Sequence, residues 1–573
     1  MNNKETMLKL INLLKGNGRK IFAIIIFLLI SSLIAIISPL INRGIMDDGF
    51  LSNNKNVVIF YSILALVLVI IDNSIELWKE NVRATLKAEI TYNLFNKSFH
   101  KLRRINLSEL NKTNNTELLN NIHNDISNIS MVADGVFFIT ITQIFNIIGG
   151  IIGLCIISWK LTILVICFIP IKFFVARKLT KERNQMANHY MTGYSKFARW
   201  FGDTLGGIKE VRIFGLFNKK IGEFNDMQGN VIKLEKKMTM QNSFNLVFDR
   251  TLQSFITTIL YIIGANMVFD LNLTVGSIVS FISYSIYCIS PISAVLNLGL
   301  VLSNILPSTR RYYEFLQMDS EEEENKSTVS LTEEMRNNPQ INFQNIFFSY
   351  DGERDILKDI SFQINPGEKV ALIGLNGSGK STIITLFMRF YRAYSGKVLL
   401  NGMDINKINI DDYRKNVSIV SQDSYLFNDT IKNNVCLYKN IKDEKFQQIL
   451  KDCNLYEFYE KLDEDYKIGE NGRLLSGGQR QKILIARALA TENNIIILDE
   501  ATSNIDIDTE RQINELIMTK LADKTIIIIS HKPNVLKYMD KIIVLKDGEI
   551  NAIGDHDELL KESKVYNDIL NNR

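Results

Sequence analysis

Long apolar stretches dominate the first half of the chain, whereas the second half alternates short apolar runs with polar, helix-favouring segments. Six stretches in the first half reach the length of about 20 residues that a helix needs to cross a bilayer. They cover residues 21–41, 57–77, 131–158, 161–179, 248–269 and 276–305. The pattern therefore predicts an all-α domain of six transmembrane helices, followed by an α/β domain.

The connections between the predicted spans differ in charge. Residues 79–123 and 177–237 form long connections rich in lysine and arginine, whereas residues 42–56, 159–160 and 270–275 are short and poor in cations. Because cationic loops stay on the cytoplasmic side of a membrane, both long connections and both termini are predicted to be cytoplasmic. The long connections lack the composition of disordered segments, so we expect them to continue the flanking helices into the cytosol.

A run of four glutamates, residues 321–324, marks the change between the halves. Such a charge run without apolar periodicity is typical of a solvated segment. We therefore predict a transmembrane domain over residues 1–320, a linker over 321–340 and a second domain over 341–573. The strand–loop–helix order of the second domain indicates an open α/β sheet with ligands at the carboxyl ends of its strands.

Composition narrows the choice of partner. A net charge of +4 over 573 residues gives no overall argument for nucleic-acid binding. The five cysteines show neither CxxC spacing nor a pattern shared with histidines, so we expect them to be reduced and structural.

The loop from Gly374 to Ser381 has the sequence Gly-Leu-Asn-Gly-Ser-Gly-Lys-Ser. Its glycines let backbone N–H groups turn toward phosphate oxygens, while Lys380 can reach the β- and γ-phosphates and the Ser381 hydroxyl can hold Mg²⁺. The residues predicted to bind nucleotide here are Gly374, Asn376, Gly377, Ser378, Gly379, Lys380, Ser381 and Thr382. Several classes of nucleotide-binding enzyme share such a loop, called the cradle below.

A second loop, residues 475–479, places two glycines directly before a helix that the sequence predicts over residues 479–490. Free N–H groups at the positive end of a helix can bind a phosphate. The predicted contacts are Ser476, Gly477, Gly478 and Gln479. Together, the cradle and this loop make the chain resemble an ATP-binding cassette (ABC) protein.

The resemblance implies roles for residues that match the other motifs of the family. An apolar run ends in Asp499 and Glu500, which are expected to hold Mg²⁺ and to polarise the hydrolytic water, respectively. Tyr350 is expected to stack on adenine, and Asp506 ends a segment in which Asn-Ile replaces the usual Ala-Leu. The full assignment makes Glu500, His531 and Gln422 catalytic, gives Mg²⁺ to Ser381, Gln422 and Asp499, and adds Tyr350 and Asp506 to the nucleotide contacts.

Taken singly, several of these residues have an ordinary structural explanation. A lone His531 at a strand end or a lone Tyr350 on a strand face is more often structural than functional. In this order and spacing, however, the motifs support one another, and the resemblance implies an ATPase that uses ATP and Mg²⁺.

The first half resembles the exporter type of ABC membrane domain, which implies short coupling helices near residues 111–121 and 208–218. The family geometry also implies a functional unit of two chains, in which the Ser476 loop of one chain covers the cradle of the other. A homodimer is favoured over a heterodimer, since every motif is present in this one chain. The expected partners are membrane lipid and an amphipathic substrate, without nucleic acid, and the expected location is a cell membrane, with the bacterial plasma membrane favoured.

Two functions follow from the resemblance. The first is ATP-driven export of an amphipathic drug, lipid or peptide from the cytoplasmic side by alternating access. The alternative is a non-transporting ATP-gated channel or regulatory membrane ATPase. The charged residues in or near the spans are Asp72, Glu76, Asp134, Asp249 and Arg250. We favour pairing or solvation for them, although Asp72 and Glu76 would select a cationic substrate if their shared helix face lined the pathway.

Overall fold

The computed structural model describes residues 2–110, 115–133, 135–270, 273–321, 329–421, 424–463, 465–501, 507–530 and 532–571. The chain separates into two compact units. The first unit comprises Met1–Arg103 and Asn114–Met318, and the second comprises Arg104–Thr113 and Asp319–Arg573. The domain boundaries at residues 320 and 341 stay a prediction.

Within its described residues, the regular secondary structure of the first unit is all helical. Its α-helices are α1 (Asn3–Lys15), α2 (Gly18–Gly44), α3 (Lys55–Leu102), α5 (Asn115–Ser130), α6 (Gly135–Ile157), α7 (Trp159–Gly206), α8 (Ile208–Ile213), α9 (Phe217–Phe269), α10 (Val275–Ile289) and α11 (Pro291–Gln317). The short helix α4 (Leu107–Leu110) belongs to the second unit. A π-helix (Ile45–Phe50) extends α2, and a 3₁₀ turn (Met131–Ala133) follows α5. The first predicted coupling helix lies partly outside the described residues, and the second overlaps α8; their coupling role stays a prediction.

Six helical segments within the described ranges are long and apolar enough to cross a membrane, which confirms the predicted number. They are Gly18–Phe50, Lys55–Leu102, Thr140–Ile157, Trp159–Gly206, Phe217–Phe269 and Val275–Leu296. The helices α3, α7 and α9 contain 48, 48 and 53 residues. At about 1.5 Å per residue, each is much longer than the roughly 30 Å of a hydrocarbon core, as expected for helices that extend beyond the membrane.

The structure changes two details of the predicted spans. The span predicted over residues 276–305 is divided at Ser290 into α10 and α11, because Pro291 has no backbone N–H to continue the hydrogen-bond pattern; Ser290 keeps helical φ and ψ angles of −58° and −41°, so the interruption is a kink rather than a turn. The turn predicted at residues 159–160 is misplaced. Ser158 alone separates α6 from α7, and its hydroxyl caps the N-terminus of α7 by accepting from the Leu161 N–H at 3.5 Å.

Polar side chains join α10 to α2 and to the π-helix that extends it. The carboxylate of Asp47 accepts from the N–H of Gly276 at 2.8 Å and from the Thr274 hydroxyl at 2.5 Å. Farther along α10, the Tyr284 hydroxyl donates to the carbonyl of Ile36 at 2.5 Å. The Asp47 carboxylate thus satisfies an N–H group at the beginning of α10, where a negative charge is stabilised by the helix dipole.

The second unit is an α/β domain. Its strands are β1 (Ile341–Phe348), β2 (Leu357–Ile364), β3 (Lys369–Gly374), β4 (Ser395–Leu400), β5 (Met403–Asp404), β6 (Val417–Ser421), β7 (Ile495–Asp499), β8 (Thr525–Ile529), β9 (Lys541–Lys546) and β10 (Glu549–Gly554). Besides α4, its helices are α12 (Glu333–Asn337), α13 (Lys380–Phe387), α14 (Ile410–Lys415), α15 (Ile431–Cys436), α16 (Asp443–Asp452), α17 (Tyr456–Glu460), α18 (Gly477–Thr491), α19 (Ile507–Lys520), α20 (Pro533–Leu536), α21 (His556–Glu562) and α22 (Lys564–Asn571).

These strands form two sheets. A four-stranded antiparallel sheet has the order β2-β1-β4-β5, and a six-stranded sheet has the order β10-β9-β3-β8-β7-β6, in which only β10 runs antiparallel to its neighbour. Alternate residues of β3 enter different hydrophobic cores, with Ala371 and Ile373 on one face and Val370 and Leu372 on the other. A parallel sheet covered on both faces explains why its strands are continuous apolar runs, and it confirms the predicted fold class.

Candidate active site

The cradle connects β3 to α13 at the carboxyl edge of the six-stranded sheet. Gly377 and Gly379 have φ angles of +81° and +100°, a region that side chains with a Cβ disfavour. A Cβ at Gly379 would lie 2.4 Å from Cδ2 of Leu357, so the chain is also too close to β2 there for a larger residue. The glycines therefore permit a loop whose backbone can wrap around an anion, as the sequence predicted.

Lys380 is the first residue of α13 and is 7% exposed. Its ammonium donates to the carbonyl oxygens of Gly374 at 2.7 Å and Leu375 at 3.0 Å. Burial lowers the pKa of Lys380, and the negative charges of Glu500 and Asp499 partly offset that effect. The ammonium of Lys380 is thus bound to the backbone of the cradle, and it lies near enough to the two carboxylates to feel their charge.

The cradle also contains a buried hydroxyl that fits a phosphate ligand. Ser378 is 4% exposed, and its Oγ has no hydrogen-bond partner among the described atoms. Leaving a buried polar atom without a hydrogen-bond partner costs free energy, and a phosphate oxygen would accept a hydrogen bond from this hydroxyl. Ser381 and Asn376 are exposed beside it. The residues present therefore fit a polyphosphate and its Mg²⁺.

Tyr350 lies beside the cradle helix. Its hydroxyl and that of Thr382 are 3.2 Å apart, and its ring packs edge to face against Phe348 and Tyr391, with centroids at 4.8 and 4.9 Å. The residue is nevertheless 51% exposed. The two aromatic neighbours fix the ring while leaving it open to solvent, an arrangement suited to stacking against a planar base.

Strand β7 brings two carboxylates to the same edge of the sheet. Asp499 is its last residue and pairs in register with Ile529 of β8, which also pairs with Leu372 of β3. The next residue, Glu500, has a φ of +49°, and its N–H donates to the carbonyl of Ile529 at 3.1 Å. A left-handed residue other than glycine or asparagine is uncommon, and such strain concentrates at functional sites. The structure thus brings Glu500 and Asp499 close enough to Lys380 to oppose the lowering of its pKa by burial.

Three predicted site residues, Gln422, Asp506 and His531, lie outside the described residues. Their proposed roles therefore stay predictions.

The second predicted loop forms the N-terminus of α18, but the predicted beginning of this helix at residue 479 is wrong. The helix begins at Gly477 and includes both glycines, because Ser476 and Gln479 form a capping box. The Ser476 hydroxyl accepts from the Gln479 N–H at 3.2 Å, and the Gln479 side chain accepts from the Ser476 N–H at 3.0 Å. Ser476 and Gln479, which were predicted to bind nucleotide, thus cap the N-terminus of α18 through each other. The N–H groups of Gly477 and Gly478 between them have no intrahelical acceptor and are available to a ligand.

Three of the acidic residues that the sequence places in or near the spans, Asp72, Glu76 and Asp249, have partners within the first unit. Asp72 accepts from the Ser31 hydroxyl at 2.6 Å, and Glu76 pairs with Lys79 one turn away. Asp249 accepts from the hydroxyl of Ser293 at 2.7 Å. Asp134 lies outside the described residues.

Lys172 of α7, a cationic partner of these acidic residues, was not among the charged residues singled out from the sequence. Its side chain is buried, and its ammonium lies 3.4 Å from a carboxylate oxygen of Asp249 in α9. A lysine in the interior of a predicted apolar span, well before the cations at its end, was a detectable signal, since buried intramembrane charges need a partner. These pairs agree with the structural interpretation that we favoured for the acidic residues.

Comparison with known proteins places both units in one family. The family model described as the ABC transporter transmembrane region matches residues 21–292, and the one described as ABC transporter matches residues 357–503. Together the two matches cover most of the chain.

Relatives match over nearly the whole length. YgaD of Bacillus subtilis (strain 168), provisionally named a multidrug export ATP-binding/permease protein, is 28% identical over 98% of each chain. The ATP-dependent lipid A-core flippase of Escherichia coli (strain K12) is 28% identical over 91% of this chain and 90% of its own. The fold is similar to that of a bacterial Atm1-family ABC exporter solved with ATP bound, with a TM-score of 0.81, 22% identity and coverage of 96% of this chain and 97% of that one. The chain thus belongs to the ABC transporters of exporter type, in which a membrane domain and an ATP-hydrolysing domain that powers transport form a single polypeptide.

Proposed function

We propose that this exporter moves an amphipathic drug, lipid or peptide out of the cytoplasm by alternating access, using ATP bound at the cradle. The observation that carries the proposal is the convergence of Lys380, Asp499 and Glu500 at one sheet edge, in a chain that also supplies six helices of bilayer length. Both termini and the ATPase would lie on the cytoplasmic side of a bacterial plasma membrane.

In this proposal, different side chains of the site bind the nucleotide, activate water and hold Mg²⁺. Lys380 and the cradle N–H groups would bind the phosphates, and Tyr350 would stack on adenine. Glu500 would orient and polarise the attacking water, with Gln422 and His531 beside the γ-phosphate. Ser381, Asp499 and Gln422 would hold Mg²⁺, which when bound offsets the negative charge of the phosphates.

The N-terminus of α18 supports a dimer. Ser476, Gly477, Gly478 and Gln479 present a positive helix end, and the hydrogen bonds of Ser476 and Gln479 are to each other rather than to the cradle. A second chain facing the first would place this helix end on the phosphates bound by its partner, with Asp506 near the same interface. Since this one chain carries all the motifs, a homodimer would contain two complete sites.

The membrane unit supports an amphipathic substrate over a small ion. Lys79 and Lys172 partly offset the charges of Glu76 and Asp249 before any substrate arrives, and the carboxylate of Asp72 already accepts a hydrogen bond from Ser31. Large apolar side chains are instead widely exposed on the spans. The names of the relatives, a multidrug exporter and a lipid A-core flippase, point to substrates of the same kind.

A panel of substrates would test this function in purified protein reconstituted into lipid nanodiscs. We would measure phosphate release in the presence of ethidium, a fluorescent phosphatidylethanolamine or an apolar peptide, with sodium chloride as the control. Stimulation by an amphipathic compound supports export. The alternative, an ATP-gated channel, predicts no stimulation and an ion conductance that opens with ATP in planar bilayers.

A further inference from the structure

Two short segments of the second unit continue the chain from the helices α3 and α11. Residues 104–106 follow α3 and residues 319–321 follow α11; we call them the exit segments. They pair antiparallel at Ile105 and Ser320. The N–H of Glu321 donates to the carbonyl of Arg104 at 2.8 Å, and the N–H of residue 106 donates to the carbonyl of residue 319 at 3.1 Å. A movement of one exit segment therefore has to move the other.

Glu321 is the first residue of the segment predicted to be a solvated linker, but its own side chain is largely buried. Its carboxylate accepts two parallel hydrogen bonds from the guanidinium of Arg414 in α14, at 2.7 and 3.0 Å. The two side chains are only 14% and 26% exposed. A paired, two-point contact of this kind fixes both distance and orientation, which a single contact does not.

Arg414 also holds the far end of the cradle helix. Its Nε donates to the carbonyl of Met388 at 3.2 Å, and its Nη2 donates to the carbonyl of Arg389 at 3.1 Å. The hydroxyl of Tyr413, the preceding residue, donates to the carbonyl of Phe387 at 2.7 Å. Carbonyl groups at a helix C-terminus lack intrahelical donors and attract positive charge, so α14 anchors α13 where that helix ends.

One guanidinium therefore contacts the exit segment that contains Glu321 and also the residues that directly follow α13, the helix whose first residue, Lys380, would face the nucleotide phosphates. Helix α13 has only eight residues, about 12 Å in length at 1.5 Å per residue. A short helix in a close-packed core moves as a rigid body, because packed interiors are nearly incompressible.

We propose that Glu321 and Arg414 form the positioning pair that transmits nucleotide-dependent shifts of α13 to the exit segments, and through them to α3 and α11. The pair does not touch the nucleotide; it acts through α13. The proposal rests on the proposed function only in assuming that the nucleotide binds at the cradle.

Hydrogen–deuterium exchange of the full-length protein in nanodiscs tests this proposal without a transport substrate. The probe is AMP-PNP with Mg²⁺. In the wild type, the probe should slow exchange both in peptides of the cradle, residues 374–387, and in peptides of the exit segments. Because a charge-assisted contact is worth enough to change an equilibrium about tenfold, Glu321→Gln should remove most of the slowing at the exit segments. The slowing at the cradle should remain.

Glu368→Gln is the matched control. Glu368 pairs with Lys541 in the same unit, and its side chain is 13% exposed, close to the 14% of Glu321. This variant should respond to AMP-PNP as the wild type does at both places. Arg414→Lys keeps a positive charge but cannot hold Glu321 and two carbonyls at once, so it provides a second variant with the same expected loss.

Three results would overturn the proposal. The first is an equal response of the exit segments in the wild type and Glu321→Gln, and the second is no response of these segments in the wild type. The third is the same loss in Glu368→Gln, which would indicate general loosening of the unit. The wild-type protein could give the expected exchange pattern and yet move no substrate into vesicles. That result would contradict the proposed function but would still support the role of Glu321 and Arg414.

Discussion

The ammonium of Lys380 donates a hydrogen bond to the carbonyl oxygen of Gly374, 2.7 Å away, across the loop that these two residues delimit. The lysine is almost fully buried, yet its neighbours are backbone carbonyls and the carboxylates of Asp499 and Glu500. Incoming phosphates would give the ammonium a stronger counter-charge than these neighbours provide. The charge of Lys380 should therefore be coupled to nucleotide binding.

This coupling predicts a pH dependence of ATP affinity. Burial lowers the pKa of Lys380, and Glu500 partly offsets that shift. ATP prefers the protonated lysine, so affinity should be full below the pKa of Lys380 and should fall as the pH rises through it. In Glu500→Gln only the offset from Asp499 is left, so the pKa of Lys380 drops further and the loss of ATP affinity should begin at a lower pH. The affinity for a fluorescent ATP analogue, measured over a series of alkaline pH values, tests this prediction. Lys380→Met should bind the analogue weakly at every pH, without a loss of affinity as the pH rises. Identical profiles for the wild type and Glu500→Gln would refute the electrostatic coupling.

Two glycines of the cradle, Gly377 and Gly379, should differ in their tolerance of alanine. Both have positive φ, so either change introduces backbone strain of about 1–3 kcal/mol. At Gly379 the added Cβ would also lie 2.4 Å from Leu357, whereas the space at Gly377 is open. Gly379→Ala should therefore lower the melting temperature and weaken ATP binding more than Gly377→Ala does. Equal losses in the two variants would show that Leu357 yields without cost.

Asp47 should stabilise the first unit. Its carboxylate accepts from Gly276 and Thr274 and lies 3.3 Å from Arg43. Asp47→Ala should cost about 1–3 kcal/mol, because it leaves the N–H of Gly276 without its acceptor. The adjacent Asp48 is exposed and serves as the control. Thermal denaturation of the purified protein should show a clear loss for Asp47→Ala and little change for Asp48→Ala; the reverse order would contradict the role of Asp47.

Local patterns explain what the sequence could predict. Six spans follow from apolar length alone, and the cradle follows from glycines and a lysine at fixed spacing. The contact of Glu321 with Arg414 could not be predicted, because their hydrogen bonds join segments far apart in the chain and the acidic run around Glu321 has the composition of a solvated segment. The early beginning of α18 depends on a reciprocal cap between Ser476 and Gln479, which offsets the poor helix propensity of the two glycines between them.

The dimer can be tested by separating the two halves of a shared site. Ser476→Arg should block the phosphate site at α18, and Lys380→Ala should disable the cradle. If each site combines elements of two chains, a mixed dimer of these variants keeps one intact site, while each homodimer keeps none. Phosphate release by dimers isolated with two different affinity tags should recover only in the mixture.

A capping control accompanies that experiment. Asp555 forms the same kind of capping box with Glu558 at the beginning of α21. Asp555→Arg therefore removes a cap without touching the nucleotide site, and its homodimer should hydrolyse ATP normally. Hydrolysis at the wild-type rate by the Ser476→Arg homodimer would contradict the shared site.

The most direct test of ATP-driven export is a simultaneous record of phosphate release and substrate accumulation in sealed inverted vesicles. Ethidium is one suitable probe, and Glu500→Gln is the matched variant, expected to lose about 10²–10⁴-fold in hydrolysis while still binding ATP. Wild-type vesicles should concentrate the probe above its external level for as long as ATP is hydrolysed, and Glu500→Gln vesicles should not. Sustained hydrolysis without accumulation of any amphipathic probe, or accumulation that persists at the wild-type rate in Glu500→Gln, would contradict the account.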